Sequence, residues 1–124
     1  MAVLNTATAS ARQMYQGQPG TAATTLYTAP AVSSNVTSPS ATAYITEIIL
    51  TNTTATDAKI TLGIVPNGSS LGVGNEIMTA VTVPANSVQY FSGLKTYMNA
   101  QSFLSALQTT ASAITLTISG VEVQ

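Results

Sequence analysis

Ser92 and Lys95 stand in the spacing S-x-x-K, in which a lysine beside a serine can take its proton and free the oxygen for acyl transfer. That chemistry needs the serine at a helix start beside its lysine, with S-D-N and K-T-G elements elsewhere. Here Gly93 splits the pair within a β-type stretch, and Lys95-Thr96-Tyr97 fails the third element, so Lys95 is read as a solvent-facing side chain at a strand end. Gly68–Gly74 is glycine-rich, but neither Lys-Ser nor Lys-Thr follows and no helix begins, as a phosphate cradle would require. The expectation there is a flexible hairpin loop able to touch a partner. The carboxylates Glu47, Asp57, Glu76 and Glu122 are too dispersed to propose an acid/base pair across a cleft. Glu47 lies in an otherwise apolar run, and a cross-strand ion pair with Lys59 is expected for it. Tyr15, Tyr27, Tyr44, Tyr90, Phe91, Tyr97 and Phe103 could build a sugar-stacking shelf, but without Trp and with few acidic partners they are read as core and interface packing.

Chemistry is scarce because its residue types are scarce. The 124 residues include no His, Cys or Trp, and the charged side chains are Arg12, Glu47, Asp57, Lys59, Glu76, Lys95 and Glu122 alone. Neither a disulfide nor a thiolate metal site can form without cysteine. No catalytic, metal or cofactor residues are assigned, and no small-molecule substrate is expected. A net charge of −1 with scattered basic residues leaves no electrostatic footprint for nucleic acid or an anionic membrane. So neutral a surface lacks self-repulsion and can be covered without desolvating ions, which favours a homo-oligomer.

The first residues, MAVLNTATASARQMYQ, have no charged leader and no apolar run suited to a signal peptide, and no segment approaches the ~20 apolar residues of a membrane helix. Asn35-Val36-Thr37, Asn52-Thr53-Thr54 and Asn67-Gly68-Ser69 match the glycosylation pattern and are read as loop composition.

Residues 1–23 show neither helical nor strand periodicity, and Gly17-Gln18-Pro19-Gly20 breaks any helix. Ordering such a stretch costs about 1–2 kcal/mol per backbone unit, so an extended N-terminal arm is expected, loose or held by a neighbour. Val3, Leu4, Met14 and Tyr15 are its candidate anchors. Strand patterns then follow in succession: 24–29, 44–52, 59–65, 76–83, then 88–93 and 94–98 as one strand or two around Gly93, 103–109, which could also pass for a helical turn and is read as strand from its neighbours, and 113–123. In 44–52, Ile48 and Leu50 fall on one face and Ile45 and Ile49 on the other, which suggests burial on both sides or a subunit contact. In 59–65, Ile60, Leu62 and Ile64 share a face. A bulge is expected at Gly120. The fold class is therefore all-β: an antiparallel β-sandwich, jelly-roll or immunoglobulin-like, of about seven to eight strands over 24–124 behind the arm.

LYTAP (26–30), ITEIILTNTTATDAKITLGIVPNG (45–68), the GVGN…VTVPANS stretch (72–87) and SAITLTISGVEV (112–123) together resemble the small β-sandwich virion structural proteins of tailed bacteriophages. The likeness covers about residues 24–123; the 31–43 connection is longer than the family's, and the arm lies outside its common core. It implies a non-enzymatic structural role, and together with the charge-poor sandwich and the arm it leads to the expectation of a capsid decoration (cement) protein, a homotrimer in preference to a dimer, bound to the major capsid protein on the head surface and made in the host cytoplasm. Its expected contacts are Val3, Leu4, Met14 and Tyr15 in the arm, Val36 in the 31–42 loop, and Leu71 and Val73 in the 66–75 loop. The alternative is a tail or neck fibre component that binds a receptor glycan.

Overall fold

The computed structural model describes residues 9–32 and 40–123. Val3, Leu4 and Val36 lie outside them. Nine strands form: β1 Ala9–Gly17, β2 Thr24–Thr28, β3 Ala41–Asn52, β4 Ala58–Val65, β5 Glu76–Val83, β6 Val88–Phe91, β7 Thr96–Asn99, β8 Phe103–Gln108 and β9 Ile114–Val123. They make two antiparallel sheets. One runs β1-β9-β3-β6, with β7 also paired to β3; the other runs β2-β8-β4-β5. The all-β sandwich read from the strand patterns is the fold observed.

The core lies between the sheets. Ile45, Ile48 and Leu50 of β3 and Ile114, Leu116 and Ile118 of β9 meet Ile60 and Leu62 of β4 and Leu104 and Ala106 of β8. Alternation along each strand puts these side chains inward, in β9 with Thr115, Thr117 and Ser119 outward between them, so burial follows from the period of two. Ile64 shares the inner face of β4 as expected but is only half-buried.

Register irregularities interrupt that period at several places, and three of them shape the core and the open edge. In β3 the register steps from Ile45↔Gly120 to Glu47↔Ser119, so Thr46 is an extra residue. In β1 it steps from Gln13↔Ser119 to Tyr15↔Ile118, so Met14 is extra there. The irregularity expected at Gly120 thus exists, but the added residues belong to the strands on either side of it. The bulge at Thr46 also changes the parity of β3, putting Ile45 inside with Ile48 and Leu50, while Ile49 is half-buried on the outer face. Gly120 itself is where both neighbours close in. A Cβ there would stand 2.3 Å from the Tyr44 carbonyl oxygen and 2.4 Å from the Met14 methyl carbon. The third irregularity lies in β5, where Ile60↔Val81 is followed by Leu62↔Met78 and Ala80 has φ 46°.

Two buried amides end the apolar stripes of their strands. Asn52 donates to the carbonyls of Thr56 (2.8 Å) and Val83 (2.9 Å) and accepts from Thr54 N–H (2.9 Å) and its hydroxyl (2.8 Å). Gln108, fully buried, donates to Pro19 O (2.6 Å) and Ile114 O (3.3 Å) and accepts from Ile114 N–H (2.8 Å). No buried side-chain polar atom among the described residues lacks a partner, which is what low-dielectric burial of amides requires.

The expected arm takes a different form where it is described. Residues 9–17 are an edge strand of the first sheet, with Met14 in the core and Tyr15 packed against it. The period was hidden because most of β1 is exposed and the bulge at Met14 breaks it. Pro19 and Gly20 are then tied to Gln108 through its side chain and its backbone N–H.

Gly120→Ala is expected to lower stability by about 1–3 kcal/mol, and Met14→Ala should not rescue it, because the carbonyl of Tyr44 cannot move aside. Asn52→Ala should cost roughly 3 kcal/mol by stranding buried backbone groups. Urea denaturation midpoints of the single and double variants check both.

Candidate functional site

The two edges of the sandwich differ. At one, β1 lies against β2, and three side chains join the sheets. Glu122 continues the inward series of Ile114, Leu116 and Ile118 on β9, so its carboxylate points between the layers. It accepts from Arg12 Nε of β1 at 2.8 Å and from the Tyr27 hydroxyl of β2 in the other sheet. Arg12 is 56 % exposed and Glu122 only 12 %, so the ion pair itself adds little and the phenol bond carries the bridge. At the other end of the β1–β9 ladder, Gln18 donates to Ser112 O of the β8–β9 turn at 3.1 Å.

The other edge is open. The β5–β6 connection crosses it at Pro84–Ser87, and Gln89 Nε2 of β6 donates to Thr82 O of β5 at 3.3 Å. Beyond that bridge the edges separate around a cleft of about 320 Å³ lined by Ile48, Ile77, Met78, Val81, Phe91, Leu94 and Thr96. The bulge in β5 brings Met78 and Val81, three residues apart, onto the same lining. Every lining side chain except Thr96 is apolar.

The surface continues onto the outer face of the first sheet. Opposite Ile48 and Ile49 of β3 stand Phe91 and Tyr90 of β6, so Phe91 faces the cleft while Tyr90 faces outward beside Ile49; Val88 stands outward opposite Thr51. Farther along, Tyr97 of β7 is opposite Tyr44, the rings packing edge-on with centroids 5.6 Å apart at 61°. Tyr90, Tyr97 and Val88 are 63 %, 60 % and 57 % exposed. An exposed aromatic and aliphatic strip of this kind on a small domain is a mark of an interaction surface.

The residues expected to make contacts fall unevenly on this map. Met14 is buried in the chain's own core and Tyr15 packs against that core, so neither presents its side chain to a partner in this arrangement. Leu71 folds back over Gly63, where a Cβ would meet its Cδ1 at 2.4 Å. Val73 stands 93 % exposed. The loop around them is tied rather than loose: Asn75 accepts from Gly72 N–H through Oδ1 (3.0 Å) and donates to Ser70 O (3.0 Å), while its own carbonyl accepts from Ile64 N–H (3.0 Å).

Other expectations change as well. Glu47 and Lys59 cannot pair, because β3 and β4 belong to different sheets. Glu47 is half-buried opposite Ser119, and Lys59 is exposed opposite Thr82. Ser92 and Lys95 are both exposed in the bend between β6 and β7, not at a helix start. Among the described residues no three His, Cys, Asp or Glu side chains gather as metal ligands. Sequence reasoning missed the Glu122 bridge, although its parity with Ile118 was a usable signal: a carboxylate on an inward position needs partners. It also missed the outer strip of Val88 and Tyr90, whose exposure depends on which strands neighbour β3.

Burial, above all, and then the hydrogen bond and charge of Glu122 raise the Tyr27 phenol pKa above its ordinary value, with Arg12 opposing. The folded state therefore keeps the phenol proton after unfolded tyrosine, near pH 10, has lost it. The stability this provides is complete below about pH 10 and is lost as pH rises further. Tyr27→Phe should flatten the alkaline decline, read as Tm followed from about pH 8 to about pH 11 in both proteins.

No protein-family model matches the chain, and no curated protein matches it in sequence.

Proposed function

We propose that this protein is a virion structural protein of the capsid decoration type, which binds the head surface of a tailed bacteriophage as a trimer and stabilises the shell. The observation that carries the reading is the apolar surface running from the open cleft at Phe91 over Tyr90, Val88 and Tyr97 on a charge-poor sandwich. A decoration protein needs a broad face that can be covered without desolvating ions, and its aromatic residues supply most of the contact energy at such faces. The resemblance of residues 24–123 to phage β-sandwich proteins supports the same reading.

The apolar face, rather than Met14 and Tyr15, is the surface that meets the shell, with Val73 on the neighbouring loop as a secondary contact. Copies per virion, counted by quantitative mass spectrometry against the major capsid protein, should stand in a simple whole-number ratio to the shell. Absence from particles would overturn the proposal. Replacing Tyr90 and Val88 together by Ser should lower occupancy at limiting protein more than tenfold, since two central anchors each contribute about 1–2 kcal/mol.

The exposed Tyr97 ring, braced edge-on by Tyr44, favours a second reading: a tail or neck component that stacks a receptor sugar. A low copy number together with glycan-array binding that Tyr97→Ala abolishes would select it.

A further inference from the structure

We propose that Asn67-Gly68 is a self-modifying site, at which the Asn67 side-chain amide is lost by attack of the Gly68 backbone nitrogen, leaving aspartate or isoaspartate in the turn after β4. The Gly68 nitrogen bonds to Asn67 Cγ as the Cγ–Nδ2 bond breaks. The departing nitrogen takes up the Gly68 amide proton and leaves as ammonia. Water then opens the five-membered imide at either carbonyl: one opening gives aspartate, the other isoaspartate, whose main chain runs through the former side-chain carbon. Nothing is oxidised or reduced, and solvent is the only co-reactant.

The turn meets each requirement of this chemistry. Asn67 and Gly68 are both exposed, so water reaches the imide. Gly68 has φ +85°, and no heavy atom lies within 4 Å of the position a Cβ would take, so no neighbouring group crowds that side of the residue. The turn is closed by Ser69 N–H donating to Pro66 O at 3.0 Å, a bond that uses neither the Gly68 N–H nor the Asn67 amide. Both reacting groups are thus free to approach.

The other described asparagines lack that combination. Asn52 is buried and held by four hydrogen bonds before Thr53. The Asn75 amide is held at both ends before Glu76. Asn86 and Asn99 precede Ser87 and Ala100, whose Cβ atoms crowd the attacking nitrogen as glycine does not.

The location gives the reaction a consequence. Asn67 and Pro66 rim a second cleft, of about 270 Å³, together with Tyr97, Asn99 and Ser102. A new carboxylate there adds one negative charge to a chain whose net charge is −1, beside the aromatic strip. The reaction itself does not rest on the virion reading; only its effect on docking does, because covering that face would then mean desolvating an ion.

The test uses the full folded chain, aged at neutral and at mildly alkaline pH and then cut with trypsin. Cleavage after Lys59 and Lys95 releases residues 60–95 as one peptide that carries Asn67, Asn75 and Asn86 together. Fragmentation locates the amide-to-acid mass change, and enzymatic methylation specific for isoaspartate identifies the rearranged product. Conversion at Asn67 should run roughly tenfold or more ahead of Asn75 and Asn86, because only its neighbour lacks a Cβ. It should quicken as pH rises, disappear at position 67 in Asn67→Gln, and slow in Gly68→Ala. Equal rates at the three asparagines, or conversion in denaturant but none in the folded protein, would overturn the proposal. None of these measurements involves shell binding, so a failure of the virion assignment leaves the result distinct.

Discussion

The first sheet depends on how closely β1 and β3 approach β9 at Gly120. Both flanking strands carry their extra residue there, Met14 on one side and Thr46 on the other, and any side chain at position 120 would collide with the Tyr44 carbonyl. That contact changes the parity of β3, and parity decides which of its isoleucines enter the core. Ile45 packs with Ile48 and Leu50 only because the ladder is broken between them. The same bulge leaves Ile49 outside, beside Tyr90, and so helps to create the outer apolar strip. One missing Cβ thereby connects the packing of the core to the character of the surface.

Polar side chains on inward positions then decide where the sandwich is closed. Asn52, Gln108 and Glu122 each follow an apolar stripe on their strand and each satisfies groups from a distant segment. Gln108 ties the turn at Pro19 to the start of β9, Asn52 ties the 53–56 turn to the end of β5, and Glu122 ties β1 to Tyr27 in the opposite sheet. Such groups stabilise only when fully paired, and here they are. On the open edge, beyond Asn52, Gln89 bridges β6 to β5. The apolar cleft of that edge and the adjoining aromatic strip are what the remaining strands leave uncovered.

A protein built this way has an interior specified by alternation and a surface with few charges to repel a neighbour. Association then depends on shape and apolar area rather than on steering. That is the physical content of the decoration reading, and it applies to a shell, a second copy or an uncharged segment of another protein alike. The tied 66–75 loop adds a further element, since Leu71 is spent on covering Gly63 and only Val73 extends outward.

Much of this was legible in the residues alone. β-branched alternation set about seven to eight strand segments from 24 onward and the all-β class, because a period of two needs no partner to be seen. Parity also marked Asn52, Gln108 and Glu122 as inward, although their polar character was not followed to that conclusion. Tertiary structure alone decided the rest. β1 became a strand because β9 offered it a ladder, not because its own sequence alternates. Glu47 and Lys59 were separated because consecutive strands went to different sheets, which no local pattern encodes. The open edge is likewise a property of strand order: Ile77, Phe91 and Leu94 are ordinary core residues in sequence, and they line an unfilled cleft only because β5 and β6 end their sheets on the same side.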